Sequence, residues 1–185
     1  MESVQTRLTS VYESLKGDFG YKNVNEAATI EKVVVSVGTG RIEDKAKIAL
    51  IQDRLALITG QKAAPRAARL SIAAFKLREG DTVGYQVTLR GARMIDFMNK
   101  LVHVALPQTR DFRGLKTTSV DEMGNYTLGI KDHTIFPETA DEDIKDIFGM
   151  SITLVTTAKS KAEAEALLRH VGMPLKKVEI EAKAK

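Results

Sequence analysis

The chain has 185 residues, of which 43% are apolar, so it is long enough for one domain with a hydrophobic core. It contains no cysteine, which excludes disulfides, thiolate metal sites and a cysteine nucleophile, and which fits a reducing cytosol. No apolar run approaches the ~20 residues of a membrane span, and the N-terminus lacks the apolar core of a signal peptide. The net charge of +4 favours anionic partners only mildly.

The first part of the chain has the pattern of two helices on either side of a strand. Apolar residues recur every three or four positions over residues 3–16, which predicts an amphipathic helix that ends at Gly17. After a loop, Ile30–Val37 is predicted to be a strand, because β-branched side chains suit a pleated sheet. The second helix is predicted to run from an N-cap at Asp44 to Ile58.

The middle of the chain alternates between strand and helix patterns. Pro65 has no backbone N–H, so residues 63–68 are expected to form an edge strand or a loop. Residues 83–89 alternate in polarity and predict a strand. Residues 93–106 carry the clearest helical stripe, and we expect Pro107 to end that helix.

The last third follows a long polar connection. Strands are predicted over 126–130 and 151–157, and the acidic stretch between them, 138–147, predicts a short helix. The segment Ser160–Glu163 has the capping-box pattern, in which the hydroxyl and the carboxylate each bond an unpaired N–H group at the start of a helix. A final helix is therefore predicted from this motif to His170.

This order of elements predicts an α+β fold. Too few helices separate the middle strands for a doubly wound parallel sheet, so we expect a mainly antiparallel sheet with helices packed on one face. The other face of the sheet is then open for a ligand, which the residues discussed below indicate to be RNA. We expect a single domain over residues 1–176 and a basic C-terminal tail over residues 177–185.

Residues 57–78 contain basic side chains and no acidic one. The basic residues are Lys62, Arg66, Arg69, Lys76 and Arg78. A soluble protein surface normally mixes charges, because a cluster of one sign repels itself. Alanines separate these charges and let a second backbone come close, so the run indicates a polyanionic partner. The alternative is a solvated loop whose composition is biased by chance.

Three further residues extend this candidate interface. Gln61 and Thr88 can hydrogen-bond sugars, phosphates or base edges, and Arg90 can supply another phosphate contact. Aromatic residues make up only 5% of the chain, so a stacking platform for single strands is not expected. Folded RNA that is recognised by its shape and backbone fits this composition better.

A second candidate RNA contact lies in the loop Arg110–Lys116. Here Phe112 lies between Arg110 and Arg113, and a glycine follows. An aromatic ring flanked by arginines suits stacking on an RNA surface. The alternative for Phe112 is that it anchors the loop to the hydrophobic core.

The patterns of other functions are not met. The segment Gly38–Gly40 lies between a strand and a helix, but Glu43 stands where a dinucleotide site has a third glycine, and an acid there would repel a pyrophosphate. No two of the 3 histidines have the spacing of metal ligands. No nucleophile, base and orienting residue form a catalytic set, so we predict no enzyme, no cofactor and no metal site.

Short segments recur along residues 10–176 in the order and spacing of a known family. They include Thr59–Lys62, Ser71–Lys76, Val87–Gly91, Arg110–Gly114, Ile135–Glu138 and Thr156–Ser160. These segments resemble the bacterial L5 family of large-subunit ribosomal proteins, which bind 5S rRNA. The resemblance implies a cytoplasmic, structural component of the central protuberance of the large ribosomal subunit.

The resemblance also implies roles for particular residues. By position, Gln61 and Thr88 match the family's polar contacts to 5S rRNA, on the open sheet face and its rim. Ser36 stands where the family usually has Asn. The loop over residues 71–84 resembles the one that reaches the elbow of P-site tRNA. The contact candidates in that loop are Phe75, Lys76 and Arg78.

The implied partners are 5S rRNA, 23S rRNA, P-site tRNA and neighbouring ribosomal proteins, including one in the head of the small subunit. No membrane is among them. The residues by themselves leave a main alternative of a different class, which is a protein-interaction module whose basic loop binds an acidic partner. A third possibility, a nucleotide-dependent enzyme, would require nucleotide binding near Gly38–Gly40.

Overall fold

The computed structural model describes residues 3–42, 44–110, 112–141 and 143–176, and in it helices pack against an antiparallel sheet. The helices are α1 (Val4–Phe19), α2 (Lys45–Thr59), α3 (Gly91–Lys100) and α4 (Lys161–Val171). The strands are β1 (Ile30–Gly38), β2 (Ala64–Ala67), β3 (Thr82–Leu89), β4 (Tyr126–Ile130) and β5 (Met150–Thr156). The predicted α+β class is confirmed.

The strands form one five-stranded sheet in the order β2-β3-β1-β5-β4, and every neighbouring pair is antiparallel. The central strand is β1, where Val34 lies opposite Thr88 of β3 on one side and Thr153 of β5 on the other. Strand β2 is at an edge, as the proline at position 65 predicts, since proline cannot donate to a central ladder.

The two faces of the sheet differ in burial. Alternate residues of β1, including Val33, Val35 and Val37, are buried and join the core formed with the helices. The residues between them point to the opposite face, where they are only partly buried. The polar side chains in those positions on β1, β3 and β5 include Lys32, Ser36, Gln86, Thr88, Ser151 and Thr153.

Helix α1 is longer than predicted. It runs past Gly17 to Phe19 and ends at Gly20, which has a left-handed φ of 66° and donates its N–H to the carbonyl of Lys16. Phe19 is packed against the core and stacks on Tyr21 with 6.1 Å between ring centroids. This packing holds the last turn in place, so the helix tolerates the glycine at position 17, which costs about 1 kcal/mol in a helix interior.

Helix α3 also extends further than predicted. It starts at Gly91 and continues through a π-helical segment, Leu101–Ala105, into a last α-helical turn, Leu106–Gln108. In the widened turn the N–H of Leu106 reaches the carbonyl of Leu101, five residues back. The prediction that Pro107 ends the helix is therefore wrong by one residue, since the helix continues to Gln108. The proline is tolerated because it follows the π-helical segment, where the regular i to i−4 hydrogen bonds are already interrupted.

The acidic stretch 138–147 does not form the predicted short helix. In its described residues the chain makes separate 3₁₀ turns, Pro137–Thr139 and Ile144–Asp146. The hydroxyl of Thr139 donates to the carbonyls of His133 and Phe136 and ties the first turn back to the preceding chain. Acidic side chains three or four positions apart also repel one another in a helix.

Of the two hydrogen bonds predicted for the capping box of α4, only the one to the hydroxyl of Ser160 is present. The hydroxyl of Ser160 accepts the N–H of Glu163 at 3.3 Å. The carboxylate of Glu163 instead accepts the N–H of Lys159 at 2.7 Å and a hydrogen bond from the hydroxyl of Tyr21. The predicted acid thus joins α4 to the segment after α1, a contact between residues far apart in sequence.

Some predictions lie outside the described residues. They concern the tail over 177–185 and the side chains of Glu43 and Glu142. The division into one domain and a tail stays a prediction. Among the described helices, none combines the length and the apolar character needed to cross a membrane.

Candidate nucleic-acid interface

The basic cluster, defined as Lys62, Arg66, Arg69, Lys76 and Arg78, lies along β2 and the loop between β2 and β3. All its side chains are exposed. In the described residues none of them pairs with a carboxylate. Glu79 and Asp81 follow the cluster directly in sequence, and Asp81 accepts the backbone N–H of Arg78 and not its guanidinium. The positive charge of the cluster is therefore directed at solvent and available to an anion.

Arg66 connects the basic cluster to the open sheet face. Its Nε donates to Oε1 of Gln86 on β3 at 2.5 Å. Arg66 lies opposite Gly84 in the register of β2 and β3, so the guanidinium crosses the sheet at a position where no side chain stands in its way. The contact uses one donor of a guanidinium that has five, and the others face solvent.

Gln61 lies at the rim of the sheet next to the end of β3. Its amide nitrogen, Nε2, is 3.4 Å from the carbonyl oxygen of Thr88, and its Oε1 accepts from Nη1 of Arg93 at the same distance of 3.4 Å. Both bonds are long and weak, so a ligand can replace them at low cost. Arg90 is exposed between Thr88 and the start of α3, which places these groups in one region.

Ser36 occupies the centre of the open face. Its hydroxyl is 3.0 Å from the hydroxyl of Ser151 on β5, directly opposite in the strand register. Next to this pair, the hydroxyls of Thr127 and Thr153 lie 3.2 Å apart across β4 and β5. The open face therefore presents uncharged hydroxyl groups beyond the basic edge.

The loop between β2 and β3 carries apolar side chains at its tip. Ile72 and Leu77 form a bridge that closes the loop, and Phe75 between them is 72% exposed. Lys76 has a left-handed φ of 51°, an unusual value for a residue other than glycine. This exposed ring and the adjacent cations give the loop the composition of a contact surface rather than of a solvated connection.

Two family models cover most of the chain. The model of ribosomal protein L5 matches residues 23–78, and the model of the C-terminus of the same ribosomal family matches residues 82–175. The sequence is 47% identical over 171 residues to large ribosomal subunit protein uL5 of Moorella thermoacetica, which is 91% of this chain and 94% of that protein. It is 46% identical over 176 residues to large ribosomal subunit protein uL5 of Trichlorobacter lovleyi, with 92% and 98% covered.

The chain belongs to the ribosomal protein L5 family. This confirms the family inferred from the short sequence segments. Membership makes the chain a structural ribosomal protein rather than an enzyme. The two matched regions share one sheet, because β1 of the first region pairs with β3 and β5 of the second.

The second predicted RNA loop of this L5 family member lies apart from the basic cluster. Phe112 is partly buried, packs against the core and lines a cavity of about 380 Å³ with Val102 and His103 of the π-helical segment. The structure thus favours the anchoring role for this ring. Arg110 and Arg113 remain exposed on either side.

The glycine turn after β1 is a poor nucleotide site. At the start of α2, Oδ1 of Asp44 accepts the N–H of Ala46 at 2.8 Å. A carboxylate therefore occupies the helix N-terminus that a pyrophosphate would need, and it would repel the ligand. No group of three potential metal-binding side chains occurs within the described ranges.

The tyrosines with shifted pKa values belong to the core and not to this surface. Burial raises the pKa of Tyr21 to about 12, and its hydrogen bond to Glu163 adds to the effect. Burial alone raises the pKa of Tyr126 to about 12. Both hydroxyls therefore keep their protons at neutral pH and act as structural groups.

Several residues of this surface were missed from sequence. Gln86 alternates with Thr88 on β3, and Ser151 and Thr153 alternate on β5, so strand periodicity was a usable signal for all of them. Arg93 gave no such signal, because it lies in the first turn of α3 and approaches Gln61 only through the tertiary fold.

Proposed function

We propose that this protein is a structural component of the large ribosomal subunit that binds 5S rRNA through the basic cluster and the open face of its sheet. The observation that carries the proposal is the continuity of an exposed basic edge, which pairs with no carboxylate of the described residues, with an uncovered polar face. Cations at the edge bind phosphates, and polar groups on the face fit sugars and base edges. The uL5 relatives are named as proteins of the large ribosomal subunit, which supports the same assignment.

Within this surface, the proposed contacts to 5S rRNA are divided between two kinds of group. Phosphate contacts come from Lys62, Arg66, Arg69 and Arg90. Polar contacts come from Ser36, Gln61 and Thr88. Ser36 stands in place of the family's usual Asn and offers a hydroxyl, which has one donor and two acceptor sites and a shorter reach than an amide.

We further propose that the loop with Phe75, Lys76 and Arg78 contacts the elbow of P-site tRNA. The exposed ring and the two cations suit stacking and phosphate contact together. Arg110 and Arg113 form a separate surface, which we propose contacts 23S rRNA, with Phe112 as the anchor of that loop. The protein partner in the small-subunit head is proposed from family resemblance alone, without assigned residues.

A titration of the purified protein with 5S rRNA tests the main proposal. Binding is expected to be tighter than to a scrambled RNA of equal length and to weaken steeply with salt, because phosphate contacts release counterions. Lys62→Ala should lower the affinity, while Lys161→Ala, which removes one exposed positive charge at the start of α4, should not. Equal affinity for both RNAs would contradict the assignment.

The alternative is a protein-interaction module with a basic loop. Pull-downs from a lysate with and without ribonuclease separate the two functions. RNA binding predicts that ribonuclease abolishes capture of ribosomal material. An acidic protein partner would be captured equally in both cases, and that result would favour the alternative.

A further inference from the structure

Hydroxyl side chains form a continuous patch on the open face, away from the basic edge. This hydroxyl patch consists of Ser36, Thr127, Ser151 and Thr153. It crosses from β1 over β5 to β4, because Ser151 and Thr153 lie two residues apart on the same face of β5 and each meets a hydroxyl on a neighbouring strand. The paired oxygens are 3.0 Å apart for Ser36 and Ser151 and 3.2 Å apart for Thr127 and Thr153.

These pairs do not use up the hydrogen-bonding capacity of the patch. A hydroxyl has one donor and two acceptor sites, and a bond between two hydroxyls occupies one donor and one acceptor. Acceptor sites therefore remain on each oxygen, and Thr127 is exposed to solvent. A partner with neutral hydroxyl groups, each both a donor and an acceptor, matches this surface.

Gly129 is an independent indication that a ligand approaches the backbone of β4. It lies in the interior of β4, opposite Ser151, where a glycine weakens a strand. The pairing of β4 with β5 is regular through this position, φ is not left-handed, and a Cβ built on Gly129 meets no atom within 4 Å. By contrast, a Cβ on Gly84 would lie 2.6 Å from the carbonyl oxygen of Val37.

Gly84 thus has a reason within the fold, whereas the part of the chain that the structure describes gives none for Gly129. In a strand interior a glycine without such a reason marks a place where a ligand or another backbone approaches. The ligand would approach at Gly129, next to the hydroxyl of Ser151. The glycine and the hydroxyl patch therefore point to the same part of the open face.

We propose that the hydroxyl patch recognises the ribose 2′-hydroxyls of double-stranded RNA, whose backbone approaches the sheet at Gly129. This inference rests on the proposed function, since it assigns a role to part of the same RNA-binding face. A-form RNA has a wide, shallow minor groove that displays 2′-hydroxyls, and a neutral polar surface reads that groove by shape and hydroxyl contact. The basic cluster then holds phosphates while the hydroxyl patch distinguishes RNA from DNA.

The test compares wild-type protein with the double variant Thr127→Val, Thr153→Val. Valine keeps the branched shape and suits a strand, and changing both residues leaves neither hydroxyl without its partner. Each protein is mixed with 5S rRNA that carries sparse 2′-deoxy substitutions, and bound and free RNA are sequenced. This measures how much the loss of each 2′-hydroxyl weakens binding.

For the wild-type protein, we expect loss of individual 2′-hydroxyls in one helix to weaken binding about 2- to 10-fold, as expected for single hydrogen bonds. In the double variant the riboses that contact Thr127 and Thr153 should lose their sensitivity, because their protein partner is already gone, while riboses that contact Ser36 and Ser151 should keep theirs. Arg66→Ala serves as the matched control and should leave the pattern of sensitive riboses unchanged while lowering overall affinity.

A second variant tests the approach at Gly129. Gly129→Val fills open space on the protein and favours the strand, so the free energy of unfolding should stay equal or rise. Binding of 5S rRNA should weaken about 10-fold or more, since a side chain would hold the RNA backbone away from the face. Unchanged affinity for this folded variant would overturn the proposed approach.

The outcomes separate this inference from the proposed function. If the wild-type protein binds 5S rRNA but no ribose is sensitive, or if every sensitive ribose keeps its full sensitivity in the double variant, the inference is wrong and the proposed function stands. If the wild-type protein does not prefer 5S rRNA to scrambled RNA, the proposed function is wrong, and this inference is wrong with it.

Discussion

Nε of Arg66 lies 2.5 Å from Oε1 of Gln86, and this contact joins the basic edge of the protein to the open face of its sheet. The glutamine orients the guanidinium and leaves its remaining donors for a phosphate. We expect Arg66→Ala to weaken 5S rRNA binding by about 1–3 kcal/mol and to lower the magnitude of the salt slope by about 1. Filter binding over a series of salt concentrations measures both quantities.

Gln86→Ala is the matched variant for this contact. It keeps the charge of Arg66 and removes only the group that orients it. The salt slope should therefore stay at the wild-type value while the affinity falls by less than for Arg66→Ala. If the salt slope falls equally in both variants, Gln86 itself contributes to the part of the binding that depends on charge.

Gln61 is predicted to contribute to binding without contributing charge. Its bonds to Thr88 and Arg93 are both 3.4 Å long, so RNA can displace them. We expect Gln61→Ala to weaken 5S rRNA binding by about 1–3 kcal/mol at constant salt slope, and Arg90→Ala to weaken it similarly with a reduced slope. Wild-type affinity in both variants, measured by gel shift, would remove this rim from the interface.

Phe97 and Phe75 give a paired test of the core and the loop. Phe97 is 2% exposed and stacks on Phe136 with 6.0 Å between ring centroids, whereas Phe75 is 72% exposed. We expect Phe97→Ala to lower the free energy of unfolding by about 3–5 kcal/mol and Phe75→Ala to change it by less than about 0.5 kcal/mol. Urea unfolding monitored by circular dichroism measures both, and similar losses would contradict the assigned core.

Lys76 allows charge and backbone conformation to be tested separately. Its φ of 51° suits asparagine and glycine better than most residues. We expect Lys76→Asn to keep the folded stability within about 0.5 kcal/mol and to weaken the tRNA contact, because only the charge is lost. The measurement is tRNA affinity of ribosomes assembled with the variant. Undiminished affinity would exclude this side chain from the proposed contact.

Stability should fall at alkaline pH through Tyr21 and Tyr126. The pKa of each is raised from 10.0 to about 12, by burial in both cases and, for Tyr21, also by the hydrogen bond to Glu163. The folded protein holds these protons more tightly than the unfolded chain, so the stabilisation is complete below pH 10 and is lost as pH rises towards 12.

The variant that isolates this effect is Tyr21→Phe. Its free energy of unfolding should depend less on pH between 10 and 12 than that of the wild-type protein, because the group that titrates is absent. Denaturant unfolding at several pH values gives the two slopes. Identical slopes would show that Tyr21 does not titrate differently in the folded and unfolded states.

The elements that local chemistry controls could be predicted from sequence. Asp44 caps α2 as expected, and β2 lies at the sheet edge because Pro65 cannot donate. Errors arose where a distant contact outweighed a local signal. Gly17 stays helical because Phe19 packs on the core, and Glu163 turns to Tyr21 and Lys159 instead of completing its own cap.

The sequence predicted which residue types the candidate interface contains, and the structure showed how they are arranged on its surface. The acid-free basic run and the alternation of Gln86 and Thr88 are properties of consecutive residues, so the sequence by itself determined a cationic edge beside a polar strand face. Only the tertiary structure decided that Arg93 approaches Gln61, that Ser36 meets Ser151, and that Ser36 and Ser151 share one face with Gly129. The physical reason is that strand order and register bring together residues such as Ser36 and Ser151, which are 115 positions apart, and no local periodicity encodes that pairing.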